Sequence, residues 1–337
     1  MQVFFICNAV GGRKHQLFRK VYLCRGNIEM TKRNAIITGA VAISFAAIMW
    51  GLDGVVLTPR LYNLDVSFVV FVLHVIPFLL MQPFLYKEYR NLRIFSNKDL
   101  IVIALIALFG GAIGTISIVK ALFLINFKEL SVVVLLQKLQ PVFAIILAAI
   151  ILKEKINKYF ILWSSIALIG GYFMTFGISA PDFRTGSKTA ISALYALLAA
   201  FSFGSSTVFS KMILMKYSFK TATFYRYGFT ALIMMIFIFM SGKSFQFSEV
   251  TPNNWLIFFI IALTTGSGAI LLYYYGLNHV RASLAVMCEL FFPISTIIFD
   301  YIFNDSRLSA IQWISAGIMV FAIVNLNRQK DSEKTSA

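Results

Sequence analysis

Long uninterrupted apolar runs recur along the chain, and they limit what it can fold into more than any other feature. They fall at 35–56, 66–85, 100–124, 131–151, 158–178, 189–209, 221–240, 254–275, 282–303 and 309–327. A helix rising 1.5 Å per residue needs roughly 20 apolar residues to cross the hydrocarbon core. Ten runs predict ten spanning helices and an all-α integral membrane protein. The short alternating segments of a membrane β-barrel are not the pattern seen. The composition fits lipid as the main solvent: 59% of residues are hydrophobic and 13% charged, against about 25% charged in soluble domains. Three cysteines, Cys7, Cys24 and Cys288, are no disulfide framework or metal cluster.

The net charge of +16 would suit a nucleic-acid binder, but its placement argues otherwise. With the N-terminus inside, 21 Lys and Arg residues fall on the inner side and 7 on the outer, with Lys138 and Arg226 inside spans. Cytoplasmic loops of membrane proteins carry such an excess. Both termini are therefore expected in the cytoplasm, with lipid and a small solute as partners and no nucleic acid. Residues 1–33 read as a cytoplasmic tail, expected to be disordered. Their apolar start is too short to span, and no basic segment precedes it as in a signal peptide. Residues 328–337 read as a second cytoplasmic tail.

The two halves repeat each other. AAIMWGLDGVV from Ala46 returns as AAFSFGSSTVF from Ala199, an offset of 153. Pro141 pairs with Pro293 at 152, the Trp163 segment with the Trp313 segment at 150, and Gly114 with Gly268 at 154. Each unit holds five spans, and an odd number turns the second unit upside down in the membrane. Inverted repeats are characteristic of transporters, since two related halves can exchange inward and outward openings.

On these residues the chain resembles the drug/metabolite transporter superfamily, and within it the ten-helix permeases with two EamA domains. The first EamA-like unit is placed at 34–180, with Trp50-Gly51 in its first helix and LLQKLQPVFAIILAAIILKEKI from Leu135 in its fourth. Pro141 and Glu154 there match the family's proline and terminal glutamate. The second unit is placed at 189–327, where Pro293 matches, Asp305 lies one place early for the glutamate, and Phe203 replaces a tryptophan. Arg226 takes the place of an arginine common early in the second helix of a unit. The resemblance implies a permease of a bacterial inner membrane, with amino acids and metabolites as usual cargo.

Charge inside a membrane is costly and is normally turned toward a cavity or partner. Lys138 and Glu289 are nearly related by the repeat, each about seven residues into its span, or about 10 Å. They are read as substrate-binding groups, together with Trp50, Tyr274 and Arg226. Asp53 lies near an outer helix end and is a candidate gate. Pro141 and Pro293 would bend spans four and nine, and Gly110, Gly114 and Gly268 would allow close helix approach. These five are assigned mechanical roles.

The sequence thus predicts a secondary transporter moving an amino acid or related zwitterionic or cationic metabolite by alternating access, with export favoured. A carboxylate and an ammonium would clamp the two ends of a zwitterion. An importer or a multidrug exporter on the same fold is the alternative. No cofactor is expected, and the proton is the candidate coupling ion. An enzyme is disfavoured because His15, His74 and His279 lie in unrelated segments, and a channel because no continuous polar path is legible.

Overall fold

The structure, a computed structural model, describes residues 14–124, 133, 136–178, 187–242, 245–304 and 309–328. Its regular elements are helices: α1 (Lys14–Leu52), α2 (Val66–Leu85), α3 (Asn97–Ile106), α4 (Gly114–Leu124), α5 (Gln140–Ile151), α6 (Lys158–Phe176) and α7 (Ser187–Leu214). There follow α8 (Phe219–Met240), α9 (Pro252–Ile261), α10 (Ser267–His279), α11 (Ala282–Cys288), α12 (Phe291–Asn304) and α13 (Ala310–Arg328). Helices suit this chain because lipid cannot satisfy an exposed backbone, whereas a helix bonds its own N–H and C=O groups.

Among the described residues, eight helical stretches are long and apolar enough to cross a membrane: Arg33–Leu61, Val66–Arg93, Asn97–Leu124, Ala190–Leu214, Phe219–Met240, Pro252–His279, Ala282–Phe303 and Ala310–Asn327. The fold is an all-α, multi-spanning membrane fold. The fourth and fifth expected spans correspond to the shorter apolar helices Gln140–Ile151 and Lys158–Met174. Residues 125–132, 134 and 135, where the fourth span was expected to begin, lie outside the described residues. The first described helix begins at Lys14 and so takes in part of the expected N-terminal tail. Residues 1–13 and 329–337 lie outside the described residues.

The helix starts are written in polar residues. Asp65 accepts the Ser67 N–H at the start of α2, Asn157 accepts the Phe160 N–H before α6, and Ser218 accepts the Thr221 N–H before α8. Ser96 with Asp99 and Thr251 with Asn254 form reciprocal capping boxes. Between these caps the outward side chains are apolar. Phe84 is 82% and Met240 83% exposed, as lipid-facing positions should be.

α1 packs on α10 and α12, α2 on α8, α7 on α4 and α5, and α6 on α13. Two departures from ideal helix position the site. The first is π-helical geometry, at Ala107–Ile113 between α3 and α4 and at Ala262–Gly266 between α9 and α10. Gly114 and Gly268 each follow such a segment. A Cβ on Gly114 would lie 2.6 Å from the Phe109 carbonyl oxygen, and one on Gly268 would lie 2.8 Å from that of Leu263. In both cases that carbonyl belongs to the residue five positions back, so the widened turn itself calls for glycine. The second departure is a break: Lys138–Leu139 form a turn before α5, and Glu289–Leu290 form one between α11 and α12. Pro141 and Pro293 follow these breaks within the first residues of α5 and α12, so each proline sits just past an interruption of the helix.

Candidate functional site

Glu289 occupies the break between α11 and α12, and a polar network grows from its carboxylate. Gln140 Nε2 donates to Glu289 Oε2 at 2.6 Å. The Tyr273 hydroxyl donates to Glu289 Oε1 at 2.6 Å. That commits the one phenolic proton, so at the 2.7 Å contact between Thr207 Oγ1 and Tyr273 the threonine is the donor. The two helix breaks thus meet: Gln140 opens α5 immediately after one, and Glu289 lies in the other. Gly204 of α7 lets this junction close up, since a Cβ there would stand 2.9 Å from the Gln140 carbonyl oxygen.

A second branch surrounds Arg226 on α8. Its Nη1 donates to the Tyr274 hydroxyl at 3.0 Å and its Nη2 to the Gly110 carbonyl at 3.0 Å. The Tyr274 hydroxyl also meets Ser210 Oγ at 2.7 Å. The guanidinium lies 5.7 Å from the Tyr274 ring centroid. Gly110 belongs to the first π-helical segment, and a Cβ there would stand 2.1 Å from Ser206 Oγ and 3.2 Å from Arg226 Nη2. Among the described residues the buried Arg226 Nε finds no hydrogen-bond partner. Arg226 is therefore turned into the bundle and bridges α8, α10 and the α3–α4 junction.

Aromatic faces border both branches. The Trp50 ring lies 5.4 Å from that of Tyr273, and Tyr273 lies 5.8 Å from Tyr274. Both tyrosines are buried, whereas Tyr275 packs on Phe219 and His279. His74 Nδ1 bonds the Val70 carbonyl at 2.7 Å, and its ring lies 5.3 Å from Tyr227. A carbonyl can only accept, so this nitrogen carries the proton.

The structure places the remaining expected residues elsewhere. Lys138 Nζ donates to the Gly171 carbonyl on α6 at 2.7 Å. Asp53 starts a π-helical turn at the end of α1, and its carboxylate accepts the Thr58 hydroxyl at 3.2 Å. The network also contains residues that sequence reasoning passed over: Gln140, Thr207 and Ser210. A signal for two of them was present, because Thr207 and Ser210 stand three apart, on one helix face, in an apolar span. Among the described residues, no group of three or more His, Cys, Asp or Glu side chains gathers where a metal could bind. The assembled groups offer a carboxylate, an amide, phenols, a guanidinium and an indole. Together they can hold an organic molecule by its ring faces and its polar edge.

Residues 37–176 and 190–328 match the EamA-like transporter family. The chain is 51% identical over 293 residues to the riboflavin transporter ImpX of Fusobacterium nucleatum subsp. nucleatum, covering 87% of this chain and 98% of that protein. A crystal structure of a protein with 15% sequence identity superposes with a TM-score of 0.61, covering 88% of this chain and 96% of its own, and this likeness speaks to the fold alone. The expectation of an exporter of amino acids or related zwitterions is corrected by the ImpX relative, whose named cargo is neither. The geometry supplies a physical reason. Glu289 accepts hydrogen bonds from an amide and a phenol, and the Lys138 ammonium donates to a backbone carbonyl on α6.

Proposed function

The chain belongs to the EamA-like transporter family, and from that premise we propose that it is a secondary transporter for riboflavin. The observation that carries this reading is the 51% identity to a riboflavin transporter along 98% of that protein's length. The site chemistry supports it. Riboflavin combines a flat three-ring system, a carbonyl- and imide-bearing edge, and a chain of hydroxyls. Trp50, Tyr273 and Tyr274 offer aromatic surface for the rings. Arg226 and Gln140 are donors suited to ring carbonyls, and Glu289 is an acceptor suited to hydroxyl or imide protons.

The transport cycle is alternating access between two five-helix units of opposite orientation, ten spans in all, at 34–180 and 189–327, with both termini cytoplasmic. The repeat offset near 153 residues supports it. So do the paired π-helical segments and the paired breaks at Lys138–Leu139 and Glu289–Leu290. Interrupted helices at corresponding places in two halves mark the binding sites of transporters. In this reading Trp50, Tyr274, Arg226 and Glu289 touch cargo, and Lys138 holds α5 against α6. Asp53 stays a gate residue, and Glu289 is the group through which a proton couples.

The test is uptake of riboflavin into proteoliposomes of the purified protein, with and without an imposed proton gradient. Saturable uptake that unlabelled riboflavin suppresses, and that amino acids leave untouched, is the expected result. Absence of riboflavin flux from protein that is folded and inserted would overturn the cargo assignment.

A further inference from the structure

The α5 and α11 helices are pinned together at both ends, and one of those pins lies outside the site described above. Gln140, at the start of α5, meets Glu289, just past the end of α11. At the opposite end the chain leaves α5 through Lys153, whose φ of 54° is in the left-handed region. L-residues rarely adopt it. This turn brings the Glu154 N–H back to the Ala148 carbonyl at 3.2 Å and aims the Glu154 side chain at the first turn of α11. The carboxylate accepts the Ala282 N–H at 2.8 Å, the Ser283 N–H at 3.1 Å and the Ser283 hydroxyl at 2.5 Å. The two helices thus run antiparallel, with seven-residue α11 joining the two pins. Both pins cross between the two family-matched stretches, 37–176 and 190–328.

We propose that Glu154 is a latch that closes the basic end of the bundle and, through α11, a positioning residue for Glu289. This rests on the reading of the chain as an alternating-access transporter with that end in the cytoplasm. The charge fits the task, because a helix N-terminus presents unpaired N–H groups and favours an anion. In sequence Lys153 and Lys155 flank Glu154 and Arg281 precedes Ala282, and from α7 Lys211 Nζ bonds the Leu277 carbonyl near the end of α10 at 2.7 Å. The two pins differ in what can replace them. Water at the membrane surface can take over each bond to Glu154, whereas the Gln140–Glu289 bond lies within a span, where cargo would be the replacement. Cargo that competes for Glu289 at one end of α11 therefore acts on the same short helix that Glu154 grips at the other.

The test is thiol accessibility in a background with Cys7, Cys24 and Cys288 replaced by alanine. Ala285→Cys places a reporter one turn inside the latch, at a position that is 0% exposed. Ala144→Cys, equally buried on α5, is the control for general loosening. A membrane-impermeant maleimide is applied to the cytoplasmic face of inside-out vesicles without cargo. We expect Glu154→Gln and Ser283→Ala each to speed labelling at position 285 about threefold or more, as loss of hydrogen bonds to a charged group predicts. Glu154→Ala should do more, Glu154→Asp should restore protection in part, and position 144 should not change. Such a result supports the latch whether or not riboflavin is carried. Unchanged labelling at 285 in both Glu154→Gln and Ser283→Ala overturns it, even if riboflavin is carried, and so does equal acceleration at 144.

Discussion

Gln140 and Glu289, 149 residues apart in the chain, are joined by a hydrogen bond of 2.6 Å between amide nitrogen and carboxylate oxygen. Each stands at a place where a membrane helix is interrupted. A carboxylate within a span needs donors, and here a neutral amide and a neutral phenol supply them. A solute that brings its own hydroxyl or imide donors can exchange for either.

Glu289→Gln keeps the shape of the side chain and removes its charge. We expect riboflavin transport at equal protein amount to fall by about tenfold or more, the scale of hydrogen bonds to a charged group. The response to an imposed proton gradient should vanish in the same variant. Proteoliposome uptake across a pH series checks both outcomes, and an unaltered pH response would remove Glu289 from proton coupling.

Trp50→Ala should raise the KM for riboflavin by about fivefold to tenfold, while Trp50→Phe should stay within about twofold of the parent. The ground is that aromatic pairs contribute about 0.5–1.5 kcal/mol beyond the area they bury. If the alanine variant keeps the parental KM, the indole is no part of the cargo site.

Arg226→Lys should behave as a loss of function. The planar guanidinium reaches Tyr274 and Gly110 at once through two nitrogens, and a single ammonium cannot reproduce that fork. We expect at least a fivefold drop in uptake, on the order of one charged hydrogen bond. Full activity of the lysine variant would reduce the arginine to a carrier of positive charge.

Gly114→Ala and Gly268→Ala should each lower thermal stability, because the new Cβ would meet a backbone carbonyl that cannot move aside. Overpacking of this kind costs about 1–3 kcal/mol. Gly317→Ala is the matched control, since a Cβ there meets nothing within 4 Å. Unfolding monitored in detergent should rank the control above both variants.

Reporter fusions after Arg33 and after Arg328 should both report the cytoplasm. The 21 to 7 division of basic residues motivates this. An external signal at either end would break the ten-span topology.

Much of the fold was legible because lipid imposes a simple rule on sequence. A span must be apolar along its length, so Val66–Leu85 or Phe219–Met240 can be read from hydropathy alone. The internal repeat was legible as well, since Gly114 and Gly268 or Pro141 and Pro293 keep nearly one offset. The glycines were expected to serve close helix approach, and Gly110 and Gly114 do lie against α7, where an added Cβ would stand 2.1 Å from Ser206 Oγ and 2.8 Å from the Phe203 ring. What spacing did not show is that Gly114 and Gly268 also face carbonyls in widened turns of their own helices. The prolines were expected as bends, and they stand just after breaks.

The cargo reading went astray at Lys138. Two opposite charges in related spans suggested a clamp for a zwitterion, but spacing along a helix does not say which neighbour a long side chain will reach. Lys138 reaches Gly171, and the relative at 51% identity is a riboflavin transporter.

Taken by itself, then, the sequence determined the lipid-embedded helical class, the repeat, the bias of basic charge and the short set of polar residues within spans. Each of these depends on residue type and spacing along one helix. Tertiary structure alone decided that Tyr273 and Tyr274 turn inward while Tyr275 packs against Phe219 and His279. It also decided that Arg226 bonds Gly110, and that Gln140 and Glu154 grip the two ends of one short helix. In a chain lined with apolar residues on most faces, the helical period barely marks an inner side. Which groups meet is settled by how the helices rotate against one another as their polar atoms find partners away from lipid.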